Sequence, residues 1–144
     1  MILIAHRGNI AGPVPKLENR PEYLSLAIGS GYSVEADVWY HDGQIFLGHD
    51  EPSYPISLQF LQNEAIWCHC KNVEAARLLI DNDIHCFYHN IDDITITSRG
   101  YIWTYPNKKL VERSVCVMPE LGYSGIIENC SAICSDYIEK YKDL

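Results

Sequence analysis

Basic residues are scarce in this chain. Its 144 residues carry 11 Lys and Arg against 19 Asp and Glu, a formal net charge of −8. Broad binding to nucleic acid or to an anionic membrane draws on clustered Lys and Arg, so neither is expected as a partner. Long apolar runs are lacking too, and none approaches the roughly 18 apolar residues of a membrane span. Residues 1–5 are apolar, but the run is too short for a signal-peptide core and no cationic leader precedes it. These absences predict a cytosolic protein without a membrane span. Repeats, linkers and low-complexity tracts are also missing, which predicts one domain over residues 1–144. No glycine-rich nucleotide fingerprint follows the first apolar run, where "HRGNIAGP" stands instead.

What is present suits a packed core: 47% of residues are hydrophobic and 21% charged. The six cysteines would suggest disulfides in a secreted chain. Most of them lie inside apolar strand-like runs, where a free thiol packs as a small hydrophobe, so reduced core thiols are expected.

Short apolar runs rich in Ile, Val, Tyr, Trp or Cys recur at Ile2–Ala5, Ser33–Tyr40, Gln44–Gly48, Ala65–Cys70, Ile84–Tyr88, Tyr101–Tyr105, Ser114–Met118 and Ala132–Cys134. Each has strand length and composition. A helix is expected over Arg20–Ser30, with Asn19 as its cap, Pro21 in its first turn and Gly31 at its end. A second is expected over Val73–Asp81, where Ala and Leu are spaced for one buried face. Weaker helical turns are expected after Pro55, Asn107 and Glu120. "HDG" at 41–43 predicts a hairpin, because Asp and Gly both tolerate positive φ. Strand–helix alternation predicts an α/β fold with a largely parallel sheet. The number of runs suits a TIM-like (β/α) barrel, but such barrels usually take about 250 residues, so several outer helices must be shortened or missing.

The chemistry-bearing residues fall at strand ends. The first run stops at His6 and Arg7. The second carries Glu35 and Asp37, two apart and so on one face. The hairpin return ends at His49. In "IWCHCKN", Trp67, His69 and Lys71 share one face, opposite Ile66, Cys68 and Cys70. In a parallel barrel these strand ends converge on one mouth. Two same-face carboxylates, with an imidazole nearby, suit a divalent cation. Arg7 and Lys71 suit phosphate oxygens. Two histidines suit proton transfer in displacement at phosphorus. Each feature also has a plainer reading. His6 can simply end a strand, "EAD" can be a solvated face, "GHD" can be a turn, and Lys71 can flank a helix. "CHC" can suggest zinc, though Cys68 and Cys70 face away from His69.

Taken together, "IAHRG", "LENR", "VEADV", "DGQIF" and "GHD" resemble the glycerophosphodiester phosphodiesterase family, within the phospholipase C-like phosphodiesterases. "CHCKN", "YIWTYPN" and "ICSDYI" are looser counterparts. The resemblance implies a β/α barrel, a metal-dependent hydrolase of phospholipid metabolism, and a small phosphodiester substrate. It implies His6 and His49 as the acid–base pair; strand order assigns His6 as base and His49 as acid. It implies Arg7 and Lys71 on the phosphate. Glu35 and Asp37 would hold magnesium or calcium. His69 stands where the family has a third carboxylate ligand, which weakens the case for calcium and favours magnesium or a transition metal. Glu120 is a candidate replacement for that carboxylate. Only residues 50–64 separate His49 from the next expected strand, so the family's substrate-capping insertion is missing. A non-catalytic phosphate-ligand binding module on the same barrel is the alternative. The oligomeric state is open.

Overall fold

A computed structural model describes all of residues 1–144. Ten strands belong to one sheet: β1 (Ile2–His6), β2 (Ser33–His41), β3 (Gln44–Leu47), β4 (Tyr54–Ile56), β5 (Ile66–Cys70), β6 (Cys86–Tyr88), β7 (Ile94–Ile96), β8 (Ile102–Thr104), β9 (Ser114–Val117) and β10 (Ala132–Ser135). Only three α-helices accompany them: α1 (Pro21–Gly29), α2 (Leu58–Leu61) and α3 (Val73–Asp81). No helix is long and apolar enough to cross a membrane.

The parallel strands run in the order β6-β5-β2-β1-β10-β9-β8, and β7 joins β8 antiparallel. The sheet curls, and bonds reach from the β7 segment to β6. The Ser98 N–H donates to Cys86 O at 2.7 Å, and Thr95 Oγ1 donates to Tyr88 O at 3.0 Å. β3 and β4 continue from β2 as an antiparallel extension. The β2–β3 turn has positive φ at Asp42 and Gly43, as the hairpin pattern requires.

Curling divides the apolar residues into two cores. The inner face packs Ile4, Trp67, Phe87, Trp103, Val115 and Cys134. The outer face packs under the helices, where Leu24 and Ala27 of α1 and Ala75 and Leu79 of α3 are buried. This is why the strands read as near-continuous apolar runs: both faces are covered. All six cysteines are free thiols and buried. Cys68 and Cys70 belong to the outer core and His69 to the inner face, so the three share no site.

The expected Val73–Asp81 helix forms with those bounds, and Asn72 caps it by accepting from Ala75 N at 3.1 Å. The expected Arg20–Ser30 helix is shorter by one residue at each end, and its cap differs. Asn19 lies outside it in the left-handed region and Arg20 occupies the cap position without a side-chain bond. The Asn19 amide is committed instead to a buried carboxylate on β2, where donors are scarcer than at a helix end. β4 and β7 are strands where the sequence predicts none. β4 carries Pro55 and lies at the edge of the sheet, where a missing N–H is tolerated. After β6 no α-helix covers the sheet, and Ile94 and Ile96 of β7 are exposed. Of the weaker turns expected, α2 follows Pro55, short turns form around Glu120 at Pro119–Leu121 and beyond it at Ile127–Asn129, and none forms after Asn107.

Candidate metal and phosphate site

Parallel register assembles the site. His6 pairs with Glu35 across β1 and β2, and Asp37 pairs with His69 across β2 and β5. On the other side of β1, Ile4 pairs with Cys134, so Asp136 emerges beside His6 just past the end of β10. Strand ends that are far apart in sequence thus meet at one end of the curled sheet.

Gly8 lets the chain leave β1. Its φ is +90°, and a Cβ there would meet the Tyr23 ring at 2.8 Å. Arg7 also has positive φ, and its N–H donates to Glu35 Oε2 at 3.3 Å. Its guanidinium lies between two carboxylates. Nε is 3.2 Å from Asp37 Oδ2, and Nη1 donates to Glu18 Oε2 at 3.2 Å.

Asp37 is the hub. Asn19 Nδ2 donates to its Oδ2 at 2.8 Å, and its own N–H donates to Asn19 Oδ1 at 2.9 Å. Lys71 Nζ lies 3.3 Å and His69 Nδ1 3.1 Å from its Oδ1. Neither of those two contacts has hydrogen-bond alignment, which leaves Oδ1 buried without a properly directed donor. Burial works against the charge on Asp37, but His69, Lys71 and Arg7 outweigh it and hold the carboxyl well below the usual carboxylate range.

His69 is oriented from behind. A carbonyl can only accept, so His69 Nε2 donates to His89 O at 3.1 Å. Its Nδ1 is therefore turned toward Asp37 and, at 3.5 Å, toward Glu35 Oε1. Its ring stacks on Phe87 with centroids 5.0 Å apart. Burial opposes protonation, but Asp37 and Glu35 prevail, and the His69 pKa is pushed up to about 9. Ligand atoms of Glu35, Asp37 and His69 all lie within 4.8 Å of one another, close enough for a single ion. The group fits a divalent cation on two observations: the undirected lone pairs of Asp37 Oδ1, and an imidazole whose outer N–H is anchored to a carbonyl while its other nitrogen faces two carboxylates. An O,O,N donor set suits magnesium less well than an all-oxygen one and suits a first-row transition metal better.

The two histidines expected as acid and base each carry a carboxylate on Nδ1. His6 Nδ1 is 2.8 Å from Asp136 Oδ1, which also accepts from Asn9 Nδ2 at 2.8 Å. His49 Nδ1 is 2.7 Å from Asp50 Oδ1. They differ in burial, with side chains 17% and 42% exposed. Burial opposes the charge on His6, yet Asp136 and Glu35 raise its pKa above the ordinary value.

Seven candidates come from the sequence. Six of them, His6, Arg7, Glu35, Asp37, His69 and Lys71, form one contact network. His49 stands apart from that network but lines the same cavity of about 180 Å³ as His6, Arg7, Glu35 and His69. Lys71 is tied to Asp37 and lines no cavity. Glu120 does not join the carboxylates. Its Oε1 accepts from Ser135 Oγ at 2.9 Å and from Asp136 N at 3.0 Å, so it braces the segment that holds Asp136. Glu18, Asn19, Asp136 and His89 are the site residues that sequence reasoning missed. The first three stand in quoted motifs, "LENR" and "ICSDYI", but nothing in their spacing assigns them partners.

Compared with protein-family models, curated proteins and solved structures, the chain matches none of them.

Proposed function

We propose that this chain is a metal-dependent phosphodiesterase of the glycerophosphodiester phosphodiesterase type, built on a (β/α) barrel reduced by the loss of outer helices. The observation that carries this reading is the Glu35–Asp37–His69 group lying within 4.8 Å while Arg7, His6 and His49 line the cavity that Glu35 and His69 also line.

A divalent ion held by Glu35, Asp37 and His69 would offset charge on the non-bridging phosphate oxygens. Arg7 lies beside the same carboxylates and lines the cavity, so its guanidinium serves those oxygens as well. Lys71 is half-buried against Asp37, so it acts on the carboxylate that shapes the site rather than on the phosphate itself. Asp136 fixes the His6 ring, and Asp50 fixes the His49 ring. In both, Nδ1–H donates to the carboxylate, which fixes the tautomer and leaves Nε2 for proton transfer. One imidazole accepts a proton from the attacking hydroxyl, and the other gives one to the departing oxygen.

The test is hydrolysis of glycerophosphocholine, glycerophosphoethanolamine and bis(p-nitrophenyl) phosphate with magnesium, calcium, manganese and zinc. Turnover that chelation removes and metal restores supports the proposal. Phosphate binding without turnover of any diester under any metal sinks it and leaves the binding module. One feature favours that second reading: His49 is half-exposed, with its only side-chain bond to its own neighbour.

A further inference from the structure

Two cavities open side by side at this end of the sheet, and they share Arg7 and His49. The larger, about 530 Å³, is walled by polar groups such as Glu18, Asn19, Asp50, Glu51 and Ser53. The smaller, about 180 Å³, has a different wall opposite the His6–Glu35–His69 cluster: Trp103, Tyr105, Pro106, Val117, Met118 and Leu121. A phosphorus atom placed at the shared residues would send its two ester substituents into chemically opposite surroundings.

The apolar wall is rigid at its base and open at its rim. Trp103 is buried and stacks on Phe87 with centroids 4.4 Å apart, and Phe87 in turn stacks on His69. Tyr105 and Leu121 are 40% and 61% exposed at the rim. Apolar side chains that face solvent beside a charged cluster gain when an apolar group covers them. The volume corresponds to about six waters at about 30 Å³ each, the size of one ring or a short branched chain.

We infer that the smaller cavity seats a compact apolar or aryl substituent of an unsymmetrical phosphate diester, while the larger cavity takes the polar substituent. The inference rests on the phosphodiesterase reading and adds which kind of substrate that site selects. Tyr105 and Leu121 are its specificity-determining residues; both stand outside the ion-binding and proton-transfer groups.

Phenyl phosphate, glycerol phosphate and inorganic phosphate, each titrated calorimetrically into the protein with magnesium present, test this directly. Phenyl phosphate is expected to bind at least tenfold more tightly than inorganic phosphate, and glycerol phosphate without that gain. Tyr105→Ala and Leu121→Gln, both at the exposed rim, should each cut the phenyl advantage at least threefold and leave inorganic phosphate binding unchanged. Equal affinity for phenyl and inorganic phosphate in the parent protein overturns the inference, as does a phenyl advantage intact in both variants. A phenyl advantage without turnover of any diester supports the apolar seat and removes the phosphodiesterase reading. Turnover without aryl preference does the reverse.

Discussion

Two imidazoles point into the same curled sheet and have opposite chemistry. His69, near the C-terminal end of β5, faces Glu35 and Asp37, and its pKa is pushed up to about 9. His85, just before β6, lies against the Trp67 ring at 4.2 Å and bonds Thr97 Oγ1 at 2.9 Å. Burial and the charge of Arg99 hold its pKa down to about 4. Carboxylates thus draw one imidazole of this sheet toward protonation or a cation, while burial keeps the other a neutral packing group. The difference lies in what parallel strands deliver at each end. Their C-terminal ends bring the carboxylates of β2 and of the residue after β10, together with a loop that carries Glu18. Their N-terminal ends bring Trp67, Tyr101 and Ile2, with Glu64 and Arg99 beside them but no cluster of carboxylates. A functional cluster at the C-terminal end is what parallel strands favour.

The sharpest way to break this contrast is to remove the hub of the charged end. Asp37→Ala leaves Arg7, Lys71 and His69 without their common anion. Arg7 keeps Glu18, His69 keeps Glu35 and all three cations retain some contact with water, so chemical denaturation should show a loss of about 1–3 kcal/mol. On the proposed phosphodiesterase reading, metal binding, followed by calorimetry, should disappear together with activity. A variant of parent stability that still binds metal would mean that Asp37 is not the hub.

His6→Ala tests the same end more selectively. Loss of a positioned proton-transfer group lowers kcat/KM by about 10²–10⁴-fold. Asp136→Asn should reproduce part of that loss, because it removes the carboxylate that orients the ring. A near-full rate on an unactivated diester in both variants would reduce His6 to a residue that merely ends a strand.

How much of this end was readable follows from the range of each interaction. β1, β2 and β5 are legible almost to the residue, because strands buried on both faces leave uninterrupted apolar runs. The side-by-side placement of Glu35 with Asp37, and of His69 with Lys71, follows from the two-residue period. Register then joins them without further information. Asp136 is different: it meets His6 from 130 residues away, and no local pattern records that distance. Asn19 misleads for a related reason. Its local signal is a helix cap, but a buried carboxylate on β2 outcompetes the helix for its amide. β7 is three residues long with two exposed isoleucines, too short to show a period.

The neutral end yields a smaller and pH-dependent effect. The folded pKa of His85 lies below the ordinary value of about 6.5, so the unfolded chain takes up the proton first. The stability owed to a neutral His85 is complete above about pH 6.5 and drains away as pH falls toward about 4. With allowance for partial solvent access, the loss is about 1–2 kcal/mol. His85→Gln keeps a donor for Thr97 without a titrating ring. The gap between parent and variant, measured by denaturation at several pH values, should shift in the variant's favour between pH 6.5 and 4. A constant gap would show that His85 titrates alike in both states and that the two ends do not differ as described.

The smallest effect is expected where a histidine–carboxylate pair is left in solvent. His49 and Asp50 form as short a contact as His6 and Asp136, 2.7 Å against 2.8 Å, but Asp50 is 91% exposed. An exposed pair gains little, because water screens it and two side chains must be held still; removing one partner typically costs between nothing and about 1 kcal/mol. Asp50→Asn should therefore leave the denaturation midpoint almost unmoved, while Asp136→Asn, which removes the charge that His6 and Asn9 share at one half-buried oxygen, should lower it clearly. The functional reading adds a second expectation. If Asp50 orients His49 during turnover, Asp50→Asn should reduce kcat at unchanged stability, and the reduction should shrink on bis(p-nitrophenyl) phosphate, whose leaving group needs little protonation. Loss of stability without loss of rate would make the pair a surface contact and move the second proton-transfer group elsewhere. Rate loss on the unactivated diester alone places His49 on the departing oxygen, and His6, held by Asp136, on the attacking one.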